Sequence, residues 1–163
     1  MKRLLCRGVL AAAIALPALS GTQIPAFAQS AQEQRGREHQ GIKGVWDVRI
    51  TVVQCGTGKA ILTGRAMLMY IDGGMLTSVG DNFLHSASLG TWRHIRGRNY
   101  TAVDRFFVFN ADDSFAGTQE TTRDIELSSS ADEYTETVTF EFFDPVDQLI
   151  RSGCATSTAT RLE

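Results

Sequence analysis

Three charged residues follow the alternation of apolar residues in segments rich in β-branched and aromatic side chains. They are Asp104, Arg123 and Glu136. Residues two apart in a strand face the same side, so their parity predicts charges on otherwise apolar faces. Such a charge must be paired or must meet a polar group of a ligand, because burying it alone is costly. One interpretation is a polar anchor for an amphipathic ligand. The simpler one places these side chains in water near an end of the sheet, or has a bulge reverse their direction.

A short polar segment brings together the three residue types of a catalytic triad. Asp81, His85 and Ser86 lie within a few residues of one another in an irregular stretch. A nucleophile needs a rigid support and an oxyanion site, which such a stretch does not supply. The histidines at 39, 85 and 94 lack metal-ligand spacing. The sequence therefore predicts no catalytic residue, no metal site and no cofactor.

The N-terminus has the pattern of a cleavable export signal. Basic residues, an apolar run at 8–19 and the small residues of Ala26-Phe27-Ala28 predict Sec-type export with cleavage after Ala28. The run is shorter than the roughly 20 apolar residues of a transmembrane helix, and no transmembrane segment is predicted elsewhere. We expect a secreted or periplasmic protein.

Three parts follow from this boundary: a signal peptide at 1–28, a flexible polar leader at 29–42 and a single β-barrel domain at 43–163. The whole chain has 16 Lys and Arg residues against 18 Asp and Glu residues. Three of the basic residues and none of the acidic ones belong to the signal, which leaves a mature charge of −5. This acidity argues against nucleic acid as a partner.

From Gly44 onward, apolar and polar residues alternate with period two, and turn residues recur at short intervals. Strands joined only by short turns predict an antiparallel up-and-down meander, and closing it into an eight-stranded barrel removes both exposed edges. The long stretch at 80–87 is the expected flap over one mouth. The predicted strands are Val45–Gln54, Ile61–Ile71, Met75–Val79, Ser88–Arg96, Tyr100–Phe109, Phe115–Leu127, Tyr134–Phe143 and Leu149–Arg161.

Two cysteines remain once Cys6 leaves with the signal. In an oxidising compartment, Cys55 and Cys154 predict one structural disulfide. Pairing them requires nearly the same antiparallel register as pairing Trp46 with Arg161. The disulfide and the closing strand pair thus nearly agree on one register, and this favours a closed barrel.

The inward faces of the strands supply a candidate apolar lining. The fifth strand is apolar on both faces, so either Phe106 and Val108 or Phe107 and Phe109 face inward. The remaining predicted lining residues are Trp46, Val48, Ile50, Val52, Phe115, Ile125, Leu127, Val138, Phe140 and Phe142. The predicted ligand contacts are Trp46, Trp92, Phe106, Arg123 and Phe140.

Gly44-Val45-Trp46 at the first strand and Arg161 at the end of the last resemble the calycin superfamily, which includes the lipocalins. In that group a Gly-x-Trp begins the first strand, and an arginine packs over the indole and closes the barrel base. The physical basis is that a flat guanidinium stacks on an aromatic face and caps carbonyls. The resemblance implies a lipocalin-like secreted bacterial barrel, with structural roles for Gly44, Trp46 and Arg161.

Three functions are compatible with these features. The leading hypothesis is a non-enzymatic extracytoplasmic barrel that binds a small apolar or amphipathic ligand inside, and it predicts an interior void. The second is a filled barrel that acts through its surface in interaction or envelope maintenance, and it predicts a contiguous exposed apolar patch. The third is a small barrel cyclase or isomerase, which needs two convergent ionisable groups inside.

Overall fold

The computed structural model describes residues 41–162, and the predicted all-β architecture is confirmed. In this range no helix is long and apolar enough to cross a membrane. The strands begin and end within a residue of the predicted bounds, because the alternation and the turn residues mark both limits. They are β1 Gly44–Val53, β2 Ala60–Ile71, β3 Met75–Gly80, β4 Ser88–Arg96, β5 Asn99–Phe109, β6 Phe115–Leu127, β7 Glu133–Phe143 and β8 Leu149–Arg161.

The eight strands form one closed barrel in chain order, and each pairs antiparallel with its neighbours. Closure occurs between β1 and β8, where Trp46 lies opposite Arg161 and Val53 lies opposite Cys154. The predicted disulfide joins Cys55 to Cys154, with 5.4 Å between their Cα atoms. The bridge therefore fastens the β1–β2 turn to β8 just beyond the closing strand pair.

The two ends of the barrel differ in packing. We call the end that carries the turns at 72–74, 97–98 and 128–132 the closed end, and the opposite end the open end. Ile42, predicted as the last residue of the leader, is fully buried in the closed end. The hydrophobic core gathers there, and its members are Ile42, Trp46, Val48, Ala66, Leu68, Tyr70, Leu76, Tyr100, Ala102, Ile125, Leu127, Ala131, Tyr134 and Ala159.

A bulge at the start of β6 reverses the direction of one predicted core residue. In the β5–β6 ladder, Phe109 lies opposite Phe115 but Val108 lies opposite Gly117, so β6 has one extra residue between these two pairs. Because a bulge adds a residue, the alternation changes face. Phe115 therefore points outward, is 44% exposed, and contacts the rings of Phe107 and Phe109. The prediction that Phe115 lines the interior is wrong for this reason.

The same pairing resolves the direction of β5. Tyr100, Ala102 and Asp104 are buried on one face, and Phe106 continues that face toward the open end. Phe107, on the other face, is 54% exposed. Of the two alternatives that the sequence leaves open, the inward set is the one that contains Phe106 and Val108.

Candidate functional site

The indole of Trp46 fills the centre of the closed end. Its Nε1 donates a hydrogen bond to the Ile42 carbonyl at 2.8 Å, and its ring meets Tyr134 edge to face at 4.8 Å between centroids. The guanidinium of Arg161 lies over the indole, 4.2 Å from the ring centroid. Trp46 has no exposed surface. It therefore packs the barrel base and does not face an opening.

Arg161 also caps backbone carbonyls at this end. Its Nε donates to Ala131 at 2.9 Å, and its two terminal nitrogens donate to Gly41, at 2.6 Å, and to Lys43. Gly44 lies directly beneath, where an added Cβ would come within 2.7 Å of the guanidinium, and its φ is +127°. Only glycine combines that conformation with so close an approach. This contact has the form that the calycin resemblance implies.

Trp92 belongs to the same aromatic group. Its Nε1 donates to the Ile71 carbonyl at 2.9 Å, and its ring meets Tyr70 and Tyr100 at 6.2 and 6.0 Å between centroids. Trp92 is half-buried. The two tryptophans predicted as ligand contacts thus lie together in the aromatic packing of the closed end.

The three charged residues meet inside the barrel. Arg123 Nε donates to Asp104 Oδ1 at 3.0 Å, and Arg123 Nη1 donates to Glu136 Oε1 at 2.8 Å. The side chains are 6% exposed for Arg123 and 0% for both acids. All three side chains are buried inside the barrel. The simpler interpretation, which placed them in water near an end of the sheet or had a bulge turn them outward, is therefore wrong. We call Asp104, Arg123 and Glu136 the interior ion cluster.

The register of the barrel explains how the cluster forms. Arg123 lies opposite Ala102 on β5 and Val138 on β7. Its partners are therefore diagonal neighbours, two residues along from each directly opposed position, and a long arginine side chain spans such diagonals. The small side chain of Ala102 leaves room for that reach. Sequence parity places each residue on the inner face, and only the register brings them together.

The interior ion cluster carries more negative than positive groups. Burial acts to lower the pKa of Arg123, but Glu136 and Asp104 raise it above its ordinary value, so the guanidinium stays charged. It faces two carboxyl groups, and each of these keeps one oxygen, Asp104 Oδ2 and Glu136 Oε2, without a hydrogen-bond partner. Buried polar atoms of this kind are normally satisfied by protein, water or ligand. The cluster thus offers two acceptor atoms.

Three further polar groups surround the cluster, and our sequence analysis did not identify them. The hydroxyls of Tyr70, Tyr134 and Ser157 are buried without a hydrogen-bond partner of normal geometry. Ser157 lies opposite Glu136 in the β7–β8 ladder. Burial and then Glu136 raise the pKa of Tyr70, and burial and then Tyr70 raise the pKa of Tyr134. All three residues occupy inward-facing positions in the alternation of β2, β7 and β8, and this alternation is the sequence signal that could have identified them.

Toward the open end, the inner face is only partly covered and combines aromatic with polar side chains. Gln119 lies opposite Phe106 and Phe142, and Thr121 lies opposite Phe140. Phe106 and Phe140 are half-buried, and Phe140 packs over Gly153 of β8, where a Cβ would clash with the ring. The guanidinium of Arg151 lies 5.0 Å from the centroid of Phe142. Of the five predicted ligand contacts, Phe106, Phe140 and Arg123 therefore face the interior between the aromatic base and the open end.

The segment at 81–87 lies along the rim. Ser86 N donates to Phe107 O at 2.9 Å, and Phe109 N donates to Leu84 O at 2.8 Å. The segment therefore pairs with the part of β5 that lies beyond Arg105, where the pairing with β4 ends. The His85 ring lies 4.9 Å from the Phe106 ring. Burial and then Arg151 lower the pKa of His85.

The triad arrangement considered from the sequence does not form in this segment. The Ser86 hydroxyl donates to Ala87 O and accepts from Phe107 N, and Asn82 is the polar side chain beside the His85 ring. Asp81 instead accepts a hydrogen bond from the Arg65 backbone. Within residues 41–162, moreover, no group of three or more His, Cys, Asp or Glu side chains has the arrangement of a metal site.

Outward-facing side chains line three grooves on the barrel wall. One groove has a volume of about 1210 Å³ and crosses the strands between rows of threonines that include Thr51, Thr63, Thr137 and Thr156. The other two have volumes of about 400 and 430 Å³ and run parallel to it. Their floors are strand backbone. These grooves lie on the outer surface. The strand residues that line the first one include Glu136, whose side chain is buried in the interior ion cluster.

No family model, no curated protein and no solved structure matches this chain. The function is therefore inferred from the geometry of the barrel.

Proposed function

We propose that the protein is an extracytoplasmic barrel that binds one small amphipathic molecule in its interior. The polar end of the molecule meets the interior ion cluster, and its apolar part lies against Phe106 and Phe140 toward the open end. The observation that carries this proposal is the pair of fully buried, unpartnered carboxylate oxygens on Asp104 and Glu136. Leaving such atoms unsatisfied costs about 1–3 kcal/mol each or more, so a bound donor is strongly stabilised there.

The charge of the cluster selects the chemistry of the polar end. Arg123 already donates to both acids, so the two oxygens that it leaves free are acceptors for a ligand, and two carboxyl groups face one guanidinium. A hydroxyl or amine donates to these oxygens, whereas a carboxylate or phosphate meets like charge in a low-dielectric interior. We therefore expect a ligand with an apolar body and a neutral or cationic hydrogen-bond donor.

Access to the cluster is from the open end. The closed end is blocked by the packed Trp46 and by the contacts of Arg161, whereas Phe106 and Phe140 are half-exposed and adjoin the rim. An eight-stranded barrel is just wide enough to hold side chains or one small ligand. A ligand entering by this route passes these two rings, and Gly153 lies directly beneath Phe140, where a Cβ would clash with the ring.

Two features support an extracytoplasmic location. The Cys55–Cys154 disulfide suits an oxidising environment, and the sequence at 1–28, which lies outside the described residues, has the pattern of an export signal. The resemblance of Gly44, Trp46 and Arg161 to the calycins supports the same role, because lipocalins bind small molecules inside their barrels.

The first test is native mass spectrometry of the protein purified without denaturation from its natural host. A bound mass that disappears on denaturation, and that belongs to a molecule with a donor group, is the expected result. Protein that remains free of bound mass, even after incubation with lipid and small-molecule extracts of the host, would overturn the proposal.

A matched pair of fluorescent probes tests the polar end. N-phenyl-1-naphthylamine is neutral and carries an N–H donor, and 1-anilinonaphthalene-8-sulfonate has the same aromatic body with an added anion. We expect the neutral probe to bind at least about tenfold more tightly. Glu136→Gln should reduce the preference for the neutral probe because it removes one of the two carboxyl groups of the cluster, whereas Glu120→Gln, on the outer wall, should leave it unchanged. Equal binding of both probes to the unmodified protein would contradict the predicted donor selectivity.

A second candidate function is catalysis by the same cluster. Asp104 and Glu136 are two ionisable groups that converge in the interior, which is what a small barrel cyclase or isomerase requires. One carboxylate would take a proton from the ligand and return it at another atom, so that the mass is unchanged. A molecule released with unaltered mass but altered chromatographic retention would favour this function. Loss of that change in Asp104→Asn or Glu136→Gln would assign it to the cluster.

A further inference from the structure

One side of the outer wall is apolar over four neighbouring strands. Outward-facing residues of β2 to β5 form it without an intervening charge, and two threonines, Thr77 and Thr91, lie within it. We call this surface the apolar outer face. Its members and their exposed fractions are Met67 52%, Met69 41%, Ile71 37%, Met75 55%, Val79 58%, Leu89 73% and Val103 39%.

The strand pairing makes this surface continuous. Met67 lies opposite Val79, and Ile71 lies opposite Met75. The row that contains Met69 continues through Thr77 to Leu89 on β4. Directly opposed side chains in neighbouring strands touch, so the members form one patch and not scattered exposed residues.

We propose that the apolar outer face is the interface of a two-fold symmetric dimer of this chain. Its seven members expose on the order of 600 Å² of apolar surface, at the upper end of what monomers present and close to the roughly 800 Å² per partner of a standard interface. A two-fold contact brings the same patch of both copies together, and an uncharged sheet face suits such self-pairing.

The charges beside the patch also favour a second copy over a charged partner. Arg65 on one border pairs with Asp47 at 2.6 Å, and Arg105 on another pairs with Glu120 at 2.8 Å. Both cations are balanced within their own chain, so two copies approach without strong repulsion at these borders. A nucleic acid or an acidic protein would find these cations already paired.

The weakest part of the barrel wall lies under this surface. β3 is the shortest strand, and its ladder with β4 extends only over Met75–Ser78. Packing a second sheet against β2, β3 and β4 covers this short ladder and removes its apolar side chains from water. The dimer therefore stabilises the segment of the barrel that has the fewest ladder partners. This inference does not depend on the interior site.

Sedimentation velocity of the purified protein between about 1 and 100 µM tests the proposal. We expect a dimer, and we expect Leu89→Glu to shift it to monomer while the circular dichroism spectrum is unchanged. Thr77→Arg, at the centre of the face, serves as a second variant. Ile150→Glu is the matched control, because Ile150 is an exposed apolar residue on β8, away from the face, and should leave the dimer intact.

A monomer throughout that range would overturn the dimer, as would a dimer that Leu89→Glu and Thr77→Arg both leave intact. If the unmodified protein is monomeric and instead sediments with phosphatidylethanolamine vesicles through the same face, the occupant is a lipid surface and the proposal is wrong. Binding of N-phenyl-1-naphthylamine by the Leu89→Glu monomer shows separately whether the interior site functions.

Discussion

The guanidinium of Arg161, on the last strand, lies 4.2 Å from the centroid of the Trp46 ring, on the first strand. The same arginine donates to backbone carbonyls of the segment before β1 and of the β6–β7 turn. This one side chain of β8 therefore covers the indole and links β8 to the segment before β1 and to the β6–β7 turn. The contact closes the barrel at its seam and also seals one of its ends.

Trp46→Ala should lower the free energy of unfolding by about 3–5 kcal/mol, because the indole is fully buried and its removal leaves a cavity. Chemical denaturation of the purified variant measures this loss. Arg49→Ala, an exposed outward substitution on the same strand, is the control and should change stability by less than about 0.5 kcal/mol. A loss under about 1 kcal/mol for Trp46→Ala would exclude the packing role of the indole.

Arg123→Met should destabilise the protein by about 3–5 kcal/mol, since it leaves two buried carboxyl groups without their cation. Arg105→Met is the matched comparison, because Arg105 pairs with Glu120 at 2.8 Å on the outer wall with half its side chain exposed. That variant should lose at most about 1 kcal/mol. Equal losses in urea unfolding would mean that the interior ion cluster is hydrated like a surface pair.

Two of the three tyrosines should resist ionisation while the barrel is folded. Burial raises the pKa of Tyr70 and of Tyr134 above the ordinary value of 10, so the stability that their neutral hydroxyls contribute is complete below pH 10. It is lost as the pH rises toward their folded pKa values. Phenolate absorbance at pH 11 should therefore rise fully only after unfolding in denaturant. A full rise in the folded protein would contradict the burial of these hydroxyls.

His85 should titrate below its ordinary pKa of 6.5, because burial and then Arg151 disfavour the charged ring. Its contribution to stability is complete above pH 6.5 and is lost as the pH falls through the lowered folded pKa. The ring resonances in an NMR titration give the midpoint directly. Arg151→Gln should move that midpoint partway back toward 6.5. A midpoint above 6.5 in the unmodified protein would contradict the contact of His85 with Phe106 at the rim.

Removing the disulfide with Cys55→Ala and Cys154→Ala together should destabilise the protein by about 3–5 kcal/mol in the chain-entropy account, since the bridge spans a sequence separation of 99 residues. Guanidinium unfolding of the oxidised protein and of the double variant measures the difference. The intact mass of the oxidised form should also be about 2 Da below that of the reduced form. Identical unfolding midpoints would show that the closing strand pair holds the β1–β8 seam without the bridge.

Strand limits and closure were predictable because they depend on local and pairwise signals. Period-two alternation sets each strand, and glycine or aspartate turns set its ends. The seam was predictable as well, since Cys55 with Cys154 and Trp46 with Arg161 require nearly the same register, and Cys154 lies opposite Val53, two residues before Cys55. Two long-range pairs, each chemically distinctive, are enough to align the first strand with the last.

The interior ion cluster was only half predictable. Parity placed Asp104, Arg123 and Glu136 on inner faces, but their contacts run diagonally across three strands. Diagonal contacts depend on the stagger between neighbouring strands, which no single strand encodes. The same holds for Tyr70, whose ring meets Tyr134 at 6.2 Å between centroids because the closed barrel brings β2 and β7 to face each other.

Alternation alone determined which residues of a regular strand face the core, and that is what the sequence of this protein decides by itself. The tertiary structure alone decided where the alternation breaks and which residues come into contact as a result. A single added residue at the β6 bulge turned Phe115 outward, and barrel closure buried Ile42, which has no strand pattern of its own. The physical reason is that side-chain direction is a local property of the backbone, whereas burial depends on which distant strands lie across the interior.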